Sequence, residues 1–541
     1  MTDGRGRLSG VLRAAALAAL LLAGAVVRAA ESAPPELPSV IPKPASLEPR
    51  PGSLRLAVIR DVVVPKNADA DTRRVAGFIH DWLRNDCGVR TAGVAESARG
   101  AAVRLEVVSP DKAAKEAYRL DVMPDGIRIR ASDAAGFFYA LQTLRQLVPS
   151  GAAACPCVSV GDAPRFGWRG MQLDVSRHFF GKEFVKNYID LLASRKLNVF
   201  HWHLVDGPGW RIEIKKHPEL TRIGAWRKDK RAEPWNWRAT ELCFNGKTPG
   251  AYGGFYTQEE IREVVRYAKA RFVTIIPEIE MPGHSYAVLA ACPQFVCEGN
   301  NIRTDGLRGL DVFCAGNEGS YKFLAEVLDE VAALFPDAPY IHIGGDEVPD
   351  LAWKRCGKCQ ALMKRLGLRT PRELEAHFIG RIAQHLAAKG RKIIGWDEIA
   401  ESALPKDAAV MVWRDAAFAK RALAQGCPVV MAPASHLYFD YALSPVPPGD
   451  APSAGKGPSM ETVYGFDPAA GLTPAEARLV LGVEACLWTE HVQTEARALE
   501  MTSPRLDALA EIAWTKQAAR DWNDFRRRLE RSAAPPAPKP K

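Results

Sequence analysis

The sequence predicts a (β/α)8 TIM barrel that carries the chemistry, preceded by a small α+β accessory domain. Three observations lead there. From residue 165 onward, eight short apolar runs alternate with amphipathic segments at helical spacing, as the strands and helices of a barrel do. The amphipathic segments have clean starts: Thr257 with Glu260 forms a capping box, and Thr370-Pro371 supplies a cap followed by proline at the first helical position. No glycine-rich nucleotide turn follows the first run, which ranks the barrel above an open doubly wound sheet.

In chain order, an address comes first. Arg5, Arg7 and Arg13 precede the apolar run Ala14 to Val27, which ends in small residues at Ala29 and Ala30. That is the pattern of a secretory signal over residues 1–30. The run is short for a membrane span of about 20 apolar residues, and no later stretch could cross a bilayer. Export to the periplasm or the medium is expected, with no membrane attachment after cleavage. A length of 541 residues suits two to three domains, and 47% apolar with 25% charged residues is the composition of an ordinary globular protein. The net charge of +9 is spread along the chain rather than gathered in runs, so no nucleic-acid partner is expected.

Residues 38–163 read as the small domain. Val75, Phe78, Ile79, Trp82 and Leu83 repeat at helical spacing, and Val103, Leu105 and Val107 alternate as in a half-buried strand. Leu120 and Val122 lead through Pro124-Asp125-Gly126 into Ile127 and Ile129, a hairpin. Ser132 is the expected cap of a helix bearing Phe137, Phe138, Leu141 and Leu144. No cluster of catalytic residue types appears, so this domain reads as a support. Residues 164–530 form the barrel. Its runs are 170–173, 198–204, 273–276, 340–343, 392–394, 409–412, 429–431 and 481–487. The tail, 531–541, is rich in Pro and Lys and is expected to be disordered.

The eleven cysteines are compatible with disulfides after export, and Cys292–Cys297, Cys297–Cys314 and Cys356–Cys359 are the candidate pairs. Cys356-Gly-Lys-Cys359 also has metal-ligand spacing. It lacks a second pair at finger spacing, so a local disulfide or free thiols rank above a metal.

In a barrel, chemistry gathers at the C-terminal ends of the strands. The first run delivers Asp174, Arg177 and His178, the second His201, His203 and Asp206, and the third Glu278, Glu280 and His284. Asp346 and Glu347 follow the fourth, Trp396, Asp397 and Glu398 the fifth, and Trp413 and Arg414 the sixth. Tyr438 and Asp440 follow the seventh, and Trp488 and Glu490 the eighth. Acids and arginine bind hydroxyls, and aromatic faces cover the apolar face of a pyranose, so this set describes a sugar site. Neighbours in an extended chain point to opposite sides, so Asp346 and Glu347 are expected in different surroundings, one donating a proton and the other staying charged. Asp346 beside it should raise the pKa of Glu347, since like charges disfavour ionisation. Alone, Gly-Gly-Asp-Glu reads as a solvated turn and a single tryptophan as packing; shared placement at strand ends decides for the site.

Two rival readings use other features. His201 and His203 point to one side of a strand and could bind a metal, as in a barrel amidohydrolase, but the later strands offer mainly acids and tryptophans. A non-catalytic glycan-binding protein is the other, and the presence of both Asp346 and Glu347 argues against it.

Six stretches in order carry a resemblance: Trp168-Arg-Gly with Asp174 and Arg177; Asn198 to Asp206; Pro277 to His284; His342 to Glu347; Gly395-Trp-Asp-Glu398; and Leu487-Trp-Thr-Glu490. Together they resemble glycoside hydrolase family 20, the β-N-acetylhexosaminidases, over most of the chain from Ile41 to Trp514. The resemblance implies an exo-acting hydrolase of small oligosaccharides or glycoconjugates, releasing terminal β-linked GlcNAc or GalNAc without cofactor or metal. Its mechanism is substrate-assisted: the carbonyl oxygen of the sugar's own 2-acetamido group attacks C1 to form an oxazolinium ion. The resemblance gives Glu347 the role of general acid and then base, Asp346 that of holding the acetamido N–H, and Tyr438 that of fixing its carbonyl. It implies Trp396, Trp413 and Trp488 as pocket walls, Arg177, Asp440 and Glu490 as hydroxyl-binding residues, and Asp206, Glu280 and His284 as supports of the acid pair. Three positions depart from the family pattern: Gly207-Pro208 where Asp-Gln is usual, Glu280 where Asp is usual, and Glu484 where Gln is usual.

Overall fold

The computed structural model describes residues 39–532, apart from 99, 112–113, 149–150, 308–309 and 442–456. The predicted signal lies outside the described residues. So does the predicted tail beyond Ser532; the helix Trp522–Arg531 runs into its first residue and Ser532 caps it.

The small domain is a seven-stranded sheet. Its strands in chain order are Ser46–Arg55, Asp61–Val63, Gly93–Ala95, Ala102–Val107, Tyr118–Met123, Gly126–Ala131 and Ala154–Asp162, arranged side by side as 1-7-5-6-4-2-3. The expected hairpin pairs Met123 with Gly126. Helices Ala70–Asn85 and Ala134–Leu147 bury Val75, Ile79, Trp82 and Leu83 and, in the second, Phe137, Phe138, Leu141 and Leu144. The cap of the second helix is Asp133, not Ser132: the Asp133 carboxylate accepts the N–H of Gly136, while the Ser132 hydroxyl donates to the Ala114 carbonyl. Asp133 has the right register to the third helical N–H, and its charge suits the positive helix end.

The small domain docks at the start of the first two barrel strands, through buried polar contacts. Lys196 Nζ lies 2.9 Å from both Asp162 Oδ2 and Tyr118 Oη, Trp514 Nε1 donates to Asp162 Oδ1 at 2.9 Å, and Arg169 pairs with Glu116 at 2.8 Å. A buried lysine is tolerable only because it is paired. This face is opposite the strand ends that carry the chemistry, which fits a supporting role.

Eight parallel strands close the barrel: Trp168–Asp174, Val199–His203, Thr274–Glu278, Tyr340–His342, Lys392–Trp396, Ala409–Val412, Val429–Met431 and Val480–Ala485, the last pairing with the first. The two expected caps are present, with Thr257 and Glu260 in a full capping box and Thr370 accepting the N–H of Glu373 ahead of a helix that starts at Pro371. Strand alternation sorts the interior. Val199, Ile276, Ile394, Met411 and Val430 fill the middle of the barrel. One step toward the mouth the inward positions turn polar: His201, Glu278, His342 and Glu484 are all fully buried. Among the described residues no helix is long and apolar enough to cross a membrane.

The disulfide candidates are corrected: none of the eleven cysteines is joined in a disulfide. Cys292 faces Glu219 at 3.6 Å, and Cys297, Cys314, Cys356 and Cys359 gather in one buried group. The second pair that the sequence lacks at finger spacing comes from upstream, in the long loop after the third strand.

Candidate active site

The fourth strand ends at His342, and the chain then turns through left-handed backbone: Gly344 has φ +67°, Gly345 +90° and Glu347 +47°. The acid pair therefore stands on a turn, not on extended chain, and both acids line one cavity instead of pointing to opposite sides. They differ in depth: the side chain of Asp346 is 14% exposed and that of Glu347 63%. Left-handed backbone at a non-glycine costs about 1–2 kcal/mol, and such strain collects at functional sites where it aims a side chain.

Gly344 also makes room. A Cβ there would lie 1.6 Å from Glu280 Oε2. The extra methylene of Glu280, relative to the aspartate usual in the resemblance, is thus accommodated by a residue without a side chain. Burial, Asp346 and Glu278 push the Glu280 carboxyl well above the usual carboxylate range, and neither oxygen has a hydrogen-bond partner among the described residues. Gly344→Ala is expected to destabilise the protein by about 1–3 kcal/mol through strain and this overlap. Combining it with Glu280→Asp should recover part of that loss, a coupling of at least about 0.5 kcal/mol in a double-mutant cycle of urea unfolding. Strictly additive losses would show that Glu280 is not the obstacle.

The cavity has a volume of about 270 Å³ and is lined by Arg177, His284, Asp346, Glu347, Trp396, Trp413, Tyr438, Asp440, Tyr441, Trp488, Glu490 and His491. All nine residues predicted for catalysis and substrate binding are brought together here. Of the three predicted supports, His284 lines the cavity while Asp206 and Glu280 lie beneath it, both buried. A larger cavity of about 480 Å³, with Arg227, Lys228, Arg231 and Trp235 in its wall, has one carboxylate, Glu233, and so lacks paired acids.

His284 joins floor to rim. Its Nδ1 lies 3.4 Å from Asp206, and its Nε2 lies 3.4 Å from Asp346 and 3.6 Å from Glu347. Burial works against its charge, but Asp206 and Asp346 raise its pKa well above the usual value. The sequence reading placed only Asp346 beside Glu347; the structure adds the His284 ring, which faces both acids. Arg177 holds the far side, with Asp206 at 2.7 Å, Asp174 at 3.2 Å and Glu490 at 3.6 Å. Burial raises Asp206, yet Arg177 and His284 hold it well below the usual carboxylate range. Burial and Glu490 push Asp440 well up, and burial raises Glu490 against the pull of Arg177. A protonated carboxyl can donate a hydrogen bond as well as accept one.

Below the mouth, Glu278 is the hub. It lies 2.7 Å from His342 Nδ1, bonds to His203 Nδ1, and accepts from Trp396 Nε1 at 2.9 Å. Burial opposes its charge, but His203, His342 and His201 hold it well below the usual carboxylate range. His203 turns its other nitrogen to Asp206 at 3.1 Å, and His201 Nδ1 lies 2.7 Å from Glu484. Despite burial, these acids lift His201 to about 9 and His203 to about 10. The two histidines do share one side, as expected, and each of their ring nitrogens has a carboxylate oxygen within 3.1 Å. Glu484, one of the departures, also accepts from Trp168 Nε1 at 2.8 Å.

The walls are aromatic. Trp396 and Trp488 meet at 5.7 Å between ring centroids, Tyr438 stacks with Trp413 at 6.1 Å, and Arg177 lies 4.9 Å above the Trp488 ring. Trp413 is fixed by its indole N–H on Glu398 at 3.0 Å and its backbone N–H on Asp397 at 2.9 Å. Burial, with Asp346 adding to it, raises Glu398 to about 7. Two buried acceptors in the cavity, Asp346 Oδ1 and Asp440 Oδ1, have no hydrogen-bond partner among the described residues. An unpaired buried acceptor is costly unless a ligand supplies the donor.

Tyr441 and His491, which line the cavity, have no place in the sequence reading, and Asp397 and Glu398 stand at a strand end there without a role. Nor does that reading show Glu278 as the hub. Tyr441 follows the Tyr438–Asp440 cluster directly, and that adjacency was the available signal.

A TIM barrel whose mouth pairs two carboxylates inside an aromatic cup has the architecture of a glycoside hydrolase. A sequence model of the glycosyl hydrolase family 20 catalytic domain matches residues 166–517, and one of domain 2 of that family matches residues 37–163. The chain belongs to glycosyl hydrolase family 20. It is 38% identical over 474 residues to a beta-hexosaminidase of Porphyromonas gingivalis, covering 85% of this chain and 59% of that protein. It is 41% identical over 405 residues to a beta-hexosaminidase of Vibrio furnissii, covering 73% and 64%. The chain thus spans less than two thirds of these two relatives. Among solved structures, the GH20 exo β-N-acetylglucosaminidase of Vibrio harveyi, in complex with N-acetylglucosamine, superposes with a TM-score of 0.79 at 34% identity, covering 92% of this chain and 77% of that one.

Proposed function

We propose that this protein is an exo-acting β-N-acetylhexosaminidase that removes terminal, non-reducing β-linked GlcNAc or GalNAc with retention of configuration, by substrate assistance. The observation that carries the reading is the pair of adjacent acids beside Tyr438 in the tryptophan cup, with Asp346 Oδ1 buried and unpaired. That oxygen is placed to accept the N–H of an acetamido group. The Tyr438 hydroxyl donates to the acetamido carbonyl and aims its oxygen at C1. Trp396, Trp413 and Trp488 hold the methyl and the sugar ring by apolar contact. Arg177, Asp440 and Glu490 bind ring hydroxyls.

Glu347, at the rim, gives its proton to the departing glycosidic oxygen as the acetamido oxygen closes onto C1. It then takes a proton from the water that opens the oxazolinium ion, so the enzyme returns to its starting state. Asp346 stabilises the positive charge that develops on the amide nitrogen. The nucleophile is already tethered to the reacting carbon, which replaces a bimolecular encounter. The cavity of about 270 Å³ falls just below the usual range for ligand pockets, roughly 300–1,000 Å³, and suits one sugar rather than a chain. The family membership and the N-acetylglucosamine in the Vibrio harveyi relative support the same substrate class.

A GlcNAc-thiazoline, a stable mimic of the cyclised sugar, tests the mechanism. It is expected to compete with substrate and bind at least about 10²-fold more tightly than GlcNAc, as analogues of high-energy states do. Inhibition no stronger than by GlcNAc itself would count against a cyclised intermediate.

A further inference from the structure

We propose that Cys297, Cys314, Cys356 and Cys359 form a structural tetrathiolate site for zinc that clamps the loops after the third and fourth barrel strands together. The sequence reading assigned no metal, and the glycosidase reading does not require one. The sulfurs of Cys314 and Cys356 lie 3.7 Å apart, those of Cys314 and Cys359 3.7 Å, and those of Cys297 and Cys359 3.9 Å. All four are within 4.8 Å of one another, and all four residues are buried. Zinc bonded to four sulfurs at about 2.3 Å in a tetrahedron sets them roughly 3.8 Å apart. Disulfides would instead draw the sulfurs into two separate pairs at about 2.05 Å. Here Cys314 is equally near two partners, which is the pattern of ligands around a shared centre.

The surroundings suit thiolates. Cys356 is the N-cap of the helix Gly357–Leu366 and Cys359 lies in its first turn, so both sulfurs stand at the positive helix end. The N–H of Gly316 points at Cys359 Sγ from 3.4 Å. Gly316 can be nothing larger: a Cβ there would lie 2.3 Å from the Lys358 carbonyl carbon. The loop bearing Cys314 is thus pressed onto the backbone between the other two cysteines. Loading exchanges four S–H protons for four Zn–S bonds, with no oxidation or reduction.

The clamp reaches toward the acids. The Phe313 N–H donates to the Pro282 carbonyl at 2.9 Å, and Trp353 Nε1 donates to the Phe313 carbonyl at 2.8 Å. Pro282 is two residues from His284, and Trp353 follows the acid turn. None of the four cysteines lines the cavity, so they position the loops and do not take part in the chemistry.

The test is the metal content of the full chain, purified without chelator and measured by plasma mass spectrometry, with alkylation of the unreduced protein to count thiols. About one zinc per chain is expected, with no disulfide among these four cysteines. Protein loaded with cobalt should show the ligand-field bands of tetrahedral cobalt thiolate. The double variant Cys356→Ser/Cys359→Ser should weaken zinc retention at least about tenfold, while Cys292→Ser should leave it unchanged. Iron in place of zinc, two disulfides, or four alkylatable thiols without metal would each overturn the proposal. Because metal content is read on the unaltered protein, an unstable variant does not remove the test.

Discussion

Replacing the acetamido group of an aryl β-GlcNAc substrate by a hydroxyl, which gives the plain β-glucoside, is expected to lower kcat/KM by at least about 10⁵-fold. On the proposed mechanism this removes the nucleophile itself. Well-oriented intramolecular groups reach effective molarities of about 10⁵–10⁸ M, and no protein carboxylate stands ready to replace the amide. In the proposed mechanism Glu347 is committed to proton transfer at the rim. Asp346 is the deeper acid, lies 3.4 Å from His284, and in the same proposal takes the amide nitrogen. The glucoside also leaves Asp346 Oδ1 without its donor. A panel of aryl β-GlcNAc, β-GalNAc and β-glucoside at matched leaving group measures the effect. Glucoside turnover within about 10²-fold of GlcNAc turnover would end the substrate-assisted account and direct attention to a carboxylate nucleophile.

Glu347→Gln should produce the second-largest effect, and its size should depend on the leaving group. General acid–base catalysis contributes about 10²–10⁴-fold. Most of that loss is expected for an alkyl or sugar aglycone, which cannot depart without a proton. An aryl aglycone of low pKa needs little protonation, so the first step should suffer much less. The variant keeps the volume and polarity of the side chain, and 63% exposure at the rim means that folding is hardly affected. A plot of log kcat/KM against leaving-group pKa should therefore steepen in the variant. Equal loss across the series would remove Glu347 from the role of acid.

The barrel and its rim were legible because both are local. Alternating apolar runs and capped helices mark eight strands, and the residues just beyond each run stand at the mouth of any closed barrel. That is why Tyr438 and Glu490, on different strands, could be assigned to one site from their places in the chain. What needed three dimensions falls into two kinds. One is backbone at special φ values: Gly-Gly-Asp-Glu marks a turn, but nothing in it shows that Glu347 is left-handed or that both acids end in one cavity. The other is pairing across long separations. His201 meets Glu484 over 283 residues, and Cys314 meets Cys359 over 45.

The sequence by itself determined which residue types reach the mouth of the barrel, because strand period and strand end are properties of a few neighbouring residues. Only the tertiary structure decided which of them touch, which charges face Glu347, and that four cysteines from two loops share one centre. Those depend on how the closed sheet and its loops bring distant segments within bonding distance, and no local pattern encodes that.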